Sequence, residues 1–120
     1  MAVYRQERVR SLLKRMVSKF VFENISEKNM NITVTKIEAS SNFKNAVVYV
    51  IIHPVGVFEG PKIKQFEKMG LDKLKKISTP LHKKARETFK MKFIPYFEFK
   101  IDEGEKNRER IEDILDRLDG

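Results

Sequence analysis

An unbroken run of seven apolar residues, Ala46 to Ile52, constrains the fold of this chain more than any other feature. The run is rich in β-branched residues, which favour strands, and Pro54 ends it. It is far too short to span a bilayer as a helix, which takes about 20 apolar residues. Strands that are apolar throughout are typical of the inside of a sheet. We therefore predict a strand inside a sheet, with helices on one side of it.

Two further segments have the pattern of strands. Ile32 to Ala39 is β-branched and alternating, but its apolar residues change face between Val34 and Ile37. A β-bulge or burial on both faces would account for that change. The polar segment Ser40 to Asn45 joins this strand to the apolar run, which predicts a hairpin. Ile94 to Ile101 alternates cleanly and is the third predicted strand.

Helical spacing marks much of the remaining chain. Apolar residues three and four apart predict an amphipathic helix from about Val3 to Glu23. A second helix begins at Pro61 and is broken at Ser78-Thr79-Pro80, because a residue before proline disfavours the helical conformation. Thr79 suits an N-cap and Pro80 a first helical position, so a third helix follows at once. Asp102 to Asn107 is predicted to be a turn, and a short acidic helix then closes the chain.

These elements predict an α+β fold in the order α-β-β-α-α-β, with an added C-terminal helix. The helices would cover one face of a three-stranded sheet. The chain has 120 residues, of which 41% are apolar and nine are Phe, which is enough for one modest core. Residues 1–120 are therefore predicted to form a single domain.

Positive charge is concentrated in one segment of the chain. Pro61 to Lys92 contains eleven Lys and Arg residues and three acids, a surplus equal to the formal net charge of +8 for the whole chain. Everything outside this segment is therefore neutral in sum. A local cationic face indicates an anionic partner, with nucleic acid the first candidate and an anionic membrane surface the main alternative.

Several classes of function are disfavoured by the residue content. The chain has no Cys, which excludes disulfides, thiolate catalysis and cysteine-ligated metal centres. Its two histidines, His53 and His82, fall in different predicted elements and form no metal-ligand pattern. It contains neither a phosphate-binding Gly-Lys-Ser/Thr loop nor a dinucleotide fingerprint. We expect no cofactor, no metal and no enzymatic activity and, without a signal-peptide or membrane-span pattern, a soluble cytoplasmic protein.

Short stretches distributed along the chain resemble one known family. They are Arg8-Val9 in the first helix, Thr33-Val34-Thr35, Ile37-Glu38 and Ser40 in the first strand, Ala46 and Val48-Tyr49-Val50 in the second, Lys90-Met91-Lys92-Phe93-Ile94-Pro95, Phe97 and Phe99 around the third, and Ile111 and Leu115 near the end. Over roughly Arg5 to Leu118 the chain resembles ribosome-binding factor A of bacteria. The resemblance implies a type II KH-like fold and a role in late maturation of the small ribosomal subunit.

The segment between the paired helices departs from that family. KH domains ordinarily have a Gly-x-x-Gly loop at this place, and the resembled family has an Ala-x-Gly kink instead. The matching positions in this chain are Ile77-Ser78-Thr79, followed by Pro80. We predict that proline and a helix cap preserve the kink without glycine.

The resemblance also implies where RNA would bind, because the paired helices and the adjoining strand edge form the RNA-binding surface of KH domains. The residues predicted to contact RNA there are Lys75, Lys76, Ser78, Thr79, His82, Lys83, Lys84, Arg86, Lys90 and Lys92. Arg8 and Arg15 of the first helix would widen this surface. The cations would bind phosphates, and the N-terminus of the third helix would add free N–H groups. Helix capping is the alternative role for Ser78 and Thr79, and an ordinary solvated face is the alternative for the cations.

Little reading of individual bases is expected. Phe97 and Phe99 alternate as core residues do, which leaves Tyr49 and Tyr96 as the candidates for base stacking. Recognition through RNA shape and backbone suits a folded ribosomal RNA site.

By this resemblance, the chain is predicted to be a non-catalytic ribosome assembly factor. It would bind the free 30S small subunit and its 16S rRNA, and would assist late maturation and rRNA end processing without cleaving RNA. Off the ribosome it would be a monomer. Two alternatives remain open at this point: a general RNA-binding KH-like module that is not tied to the ribosome, and a small nuclease.

Overall fold

The computed structural model describes residues 2–25, 29–42, 44–55, 61–89 and 94–119. Its elements in chain order are α1 Ala2–Asn24, β1 Met30–Ala39, β2 Asn45–Pro54, α2 Pro61–Thr88, β3 Tyr96–Ile101 and α3 Glu103–Asp119. This order of helices and strands confirms the predicted α+β fold class. Residues 56–60, between β2 and α2, lie outside the described residues, as do Lys90 and Lys92.

The described strands form one sheet in the order β1-β2-β3, so the apolar strand β2 lies in the centre as predicted. Strands β1 and β2 form the predicted antiparallel hairpin. Strands β2 and β3 are parallel, because the chain crosses back through α2 before it enters β3. Val48 and Val50 of β2 are completely buried, which explains why this strand has to be apolar.

A β-bulge at Thr35 explains the change of face in β1. The register of the β1–β2 ladder shifts between Val34 and Lys36, so β1 contains one extra residue at this point. The extra residue brings Ile37 back to the face of Val34, and both side chains are buried. Of the two explanations that the sequence left open, the bulge is the correct one.

The core lies where α1 and α2 pack against one face of the sheet. Removing apolar side chains from water here stabilises the fold by about 25 cal/mol per Å² buried. The two helices contribute to this core the buried residues Leu13, Val17, Val21, Phe66, Leu74, Leu81 and Ala85. Gly70 marks a close approach of α2 to the sheet, because a Cβ atom there would lie 2.5 Å from Ile52 Cδ1.

Helix α2 continues through Pro80, so the predicted break into two helices is corrected to one helix. A proline inside a helix removes one hydrogen bond and costs about 3 kcal/mol. Pro80 is exposed, so this defect lies on the water side of the helix, where solvent can hydrate the freed carbonyl. On the opposite side Leu74 precedes the proline and Leu81 follows it, and both are completely buried. Burying each such side chain contributes about 1.5–3 kcal/mol, so the continuous apolar stripe outweighs the local cost.

Helix α3 begins at Glu103, so the predicted turn from Asp102 to Asn107 is wrong. Asp102 is the N-cap of α3, and its Oδ1 accepts a hydrogen bond from the backbone N–H of Glu105 at 3.0 Å. Its Oδ2 accepts a hydrogen bond from the hydroxyl of Thr35 at 2.6 Å. These two bonds, the Thr35 bond foremost, lower the pKa of the Asp102 carboxyl. The polar residues that resemble a turn are the capped start of a helix.

Candidate RNA-binding surface

Five exposed cations lie along the second half of α2, and we call this set the cationic patch: Lys75, Lys76, Lys83, Lys84 and Arg86. Lys84 follows Lys75 by nine residues, or about two and a half turns, and therefore lies on the opposite side of the helix. Helical spacing places Lys75, Lys83 and Arg86 together on the side of α2 that points away from its buried stripe. At a rise of 1.5 Å per residue, the distance along the helix from Lys75 to Arg86 is roughly 17 Å. This length matches the spacing of a few successive phosphates along an RNA backbone.

Within the part of the chain that the structure describes, none of the five patch cations forms an ion pair. Cations elsewhere do have partners: Lys106 lies 2.9 Å from a carboxylate oxygen of Glu67, for example. Unneutralised charges of one sign repel each other, and an anionic ligand relieves that repulsion. The patch is therefore favourable for phosphate, with counterion release as the driving force.

The two predicted hydroxyl residues of α2 differ in their surroundings. Ser78 is half-buried, and its hydroxyl donates a hydrogen bond to the carbonyl of Lys75 at 2.7 Å. Thr79 is exposed. Because α2 is continuous here, Thr79 is not an N-cap, and the predicted helix N-terminus with free N–H groups does not exist at this place. A phosphate bound beside Thr79 would therefore contact side chains and not free backbone N–H groups.

His82 is hydrogen-bonded to the segment that leads into β3. Its Nε2–H donates a hydrogen bond to the carbonyl of Ile94 at 3.1 Å, since a carbonyl oxygen can only accept. The imidazole ring also stacks on Tyr96, with ring centroids 4.5 Å apart and the planes only 6° from parallel. Sequence spacing contains no signal for this contact, which depends on how β3 lies against α2. His82 therefore supports Tyr96 at the edge of the sheet.

A groove of about 340 Å³ separates α2 from β3. Lys75 and Ser78 line it from the helix side, and Glu98 lines it from the strand side. Asp72, one turn before the patch begins, adds a second exposed carboxylate. Like charges repel, so phosphate is disfavoured beside these two acids and favoured toward Lys83 and Arg86, where two cations outnumber the single carboxylate of Glu87. The charge along α2 thus changes from acidic beside Asp72 to basic beside Lys83 and Arg86.

The other predicted contact residues lie apart from the patch or outside the described ranges. Arg8 and Arg15 are exposed on α1, and their spacing of seven residues puts them on one side of that helix. Phe22, at 86% exposure, lies on the same side and was not singled out by its sequence pattern. Lys90 and Lys92 are the predicted contact residues that lie outside the described ranges. Tyr49, the other aromatic candidate, is half-buried with Lys36 Nζ 4.8 Å from its ring centroid.

The remaining histidine, His53, has its hydrogen-bond partner in α3. His53 donates a hydrogen bond from Nε2 to Glu109 of α3 at 3.0 Å. In the described ranges, no three His, Asp or Glu side chains are arranged to hold a metal ion. Nor does any helix in those ranges have the length and apolar content needed to cross a membrane.

Fold and surface together define a class of protein. A three-stranded sheet carries helices on one face, and the longest of them exposes five cations that form no ion pair with a described acid. Such an arrangement is that of a small α+β RNA-binding protein.

Comparison with known proteins identifies the family. The family model described as ribosome-binding factor A matches residues 5–115, so the chain belongs to the ribosome-binding factor A family. The crystal structure of ribosome-binding factor A from Thermus thermophilus is 18% identical, with 79% of this chain and 92% of that chain covered and a TM-score of 0.60. The solution NMR structure of a candidate for the same factor from Thermotoga maritima is 14% identical, with 78% and 83% covered and a TM-score of 0.59. These structures share the fold of the chain, and no curated protein matches its sequence.

Proposed function

We propose that this protein binds the free 30S ribosomal subunit through its 16S rRNA and assists late maturation, including rRNA end processing, without cleaving RNA itself. The observation that carries the proposal is the cationic patch, whose five exposed cations have no ion-pair partner among the described residues. Membership of the ribosome-binding factor A family supports the ribosome as the source of the RNA. The protein works in the cytoplasm and is a monomer off the ribosome.

The mechanism is a shift in the conformational equilibrium of rRNA. A factor that binds one conformation ten times more tightly than another shifts the equilibrium between them by about 1.4 kcal/mol. The patch binds an rRNA conformation on the way to the mature site more tightly than the competing conformations, and so raises its population. Once the mature site forms, the bound surface changes and the factor is released. Cleavage of the rRNA ends belongs to a separate nuclease.

Sedimentation tests the identity of the partner. At low salt, the purified protein is expected to migrate with free small subunits and to be absent from assembled ribosomes. If it stays at the top of the gradient, the ribosomal proposal is wrong, and equal binding to unrelated RNA in the same buffer would then favour the general RNA-binding module. Shortening of the RNA during incubation with divalent metal would instead favour the nuclease.

Salt dependence tests the surface. We expect the triple variant Lys83→Gln, Lys84→Gln and Arg86→Gln to bind subunits more weakly. The slope of log affinity against log salt should fall by about 0.7–0.9 for each phosphate that the variant no longer binds, or roughly 2–3 in all. The matched control removes three charges from α3 by Arg108→Gln, Arg110→Gln and Arg117→Gln, which gives the same net charge. Equal slopes for the two variants would show that the RNA lies on another face.

A further inference from the structure

Tyr96 is a large aromatic residue that stays exposed on the edge strand of the sheet. It is the first residue of β3, and 67% of its surface is accessible. One face of its ring is covered by the imidazole of His82 in nearly parallel stacking, with centroids 4.5 Å apart. A flat ring that is covered on one face and largely accessible overall leaves its second face available to another planar group.

Both residues of this stack are held in place by hydrogen bonds and by buried neighbours in the chain. His82 is anchored by its hydrogen bond to the Ile94 carbonyl and follows the completely buried Leu81 in α2. Tyr96 follows the completely buried Pro95, and its backbone N–H donates a hydrogen bond to the carbonyl of Lys44 at 2.9 Å. A planar group that stacks on Tyr96 therefore meets a ring that is already ordered. Such preorganisation reduces the entropic cost of binding.

One cation of the patch lies on the same side of α2 as the stacked histidine. Arg86 follows His82 by four residues, which is about one helical turn, and Lys83 precedes Arg86 by three. These two cations and Glu87 line a shallow cleft of about 380 Å³. An aromatic ring beside cations is the combination that binds unpaired nucleotides, since the base stacks on the ring while the backbone phosphates meet the charges.

We propose that Tyr96, supported by His82, is a stacking platform for one unpaired base of the bound RNA, with the neighbouring phosphates on Lys83 and Arg86. This inference rests on the proposed function, because it names a feature of the RNA that the cationic patch binds. It makes the preferred ligand an RNA with a flipped-out or single-stranded nucleotide next to a helix. Uninterrupted duplex would bind through the cations alone.

The test uses two short RNA hairpins that differ in one nucleotide, an unpaired 2-aminopurine in the first and the same base paired in the second. The chain contains no Trp, so the fluorescence of 2-aminopurine can be followed without a tryptophan background. The wild-type protein is expected to quench the unpaired base and to bind that hairpin roughly 5- to 150-fold more tightly, from about 1–3 kcal/mol per stacked base. Tyr96→Phe keeps the ring and should keep both effects. Tyr96→Leu should abolish both while the salt slope stays unchanged.

The outcomes separate this inference from the proposed function. If Tyr96→Leu quenches the 2-aminopurine fluorescence and distinguishes the two hairpins as the wild type does, the stacking platform is wrong. The cationic patch is a separate question, and it is supported if the Lys83, Lys84 and Arg86 triple variant lowers the salt slope. If that triple variant leaves the slope unchanged, the proposed surface is wrong and the platform with it. Circular dichroism melts of both Tyr96 variants check that the fold is retained.

Discussion

The hydrogen bond from Thr35 to Asp102 joins the bulge of β1 to the N-cap of α3, and its removal can be predicted quantitatively. Thr35→Val deletes the hydroxyl and leaves Oδ2 of a carboxylate that is only 9% exposed without this donor. A hydrogen bond to a charged group contributes about 1.5–3 kcal/mol, and we take the lower part of that range because the Asp102 carboxylate keeps its hydrogen bond from Glu105 and some contact with solvent. We therefore expect a loss of roughly 1.5–2 kcal/mol in the free energy of unfolding. Asp102→Ala removes the N-cap as well, which adds about 1 kcal/mol.

A double-mutant cycle isolates the shared bond. The combined variant should lose less stability than the two single variants added together, by roughly 1–2 kcal/mol, because each single variant already deletes the same hydrogen bond. Urea unfolding followed by far-ultraviolet circular dichroism measures all four proteins, since the chain has no Trp to report on unfolding by fluorescence. Additive losses would show that Thr35 and Asp102 are not coupled and would refute the reasoning.

The pH dependence gives a second measure of this bond. The Thr35 hydroxyl lowers the pKa of Asp102 in the folded protein, whereas an unfolded Asp titrates near about 3.9. A lowered folded pKa means that the contribution to stability is fully present above the unfolded value and is lost as the pH falls through the folded value. The stability difference between the wild type and Thr35→Val should therefore be full near neutral pH and should narrow below about pH 4. A difference that is constant across this range would contradict the assignment.

Two further substitutions test the geometry of α2. Gly70→Val places a branched side chain where a Cβ atom already meets Ile52 Cδ1 at 2.5 Å, so thermal melts should show a loss of about 1–3 kcal/mol, and an unchanged melting temperature would mean that helix and sheet are further apart. Pro80→Ala restores the missing hydrogen bond of a continuous helix and should stabilise the protein by up to about 3 kcal/mol. Because α2 is continuous through Pro80, the same variant should leave subunit binding unchanged, and weaker binding would show that the proline shapes the candidate surface.

Most of the fold could be predicted from the sequence because its signals are local. Alternation and β-branching locate all three strands, and helical spacing locates α1. The continuity of α2 could not be predicted locally, since the cost of Pro80 is visible in the sequence whereas the burial of Leu81 beyond it is a property of the folded core. The start of α3 was available as a capping signature, Asp102 followed three residues later by Glu105, but the neighbouring polar residues made it resemble a turn.

Some features of the candidate surface can likewise be predicted from the sequence, whereas others depend on the fold. The concentration of Lys and Arg in one helical segment is visible in the sequence, and their exposure follows from the apolar stripe on the other side of α2. The sequence does not show whether acids form ion pairs with the patch cations. In the described ranges they do not, and this depends on where the fold places the acids. The contact between His82 and Tyr96 likewise joins two elements whose relative position no spacing rule specifies. Sequence patterns therefore indicate which residues are charged, and the fold determines which of them share a surface with an aromatic ring.

The parallel pairing of β2 with β3 has a consequence for the order in which this surface is assembled. The β1–β2 hairpin brings together neighbours in sequence, whereas Asn45 pairs with Tyr96 only after the whole of α2 has been accommodated. Contacts between distant parts of a chain close slowly, because loop-closure entropy is lost before they form. The hairpin and the charged helix can therefore form early, while the strand that begins with Tyr96 joins late. On the proposed function, a nascent chain would attract RNA through charge first, and the proposed stacking on Tyr96 would become possible only when the edge strand has docked.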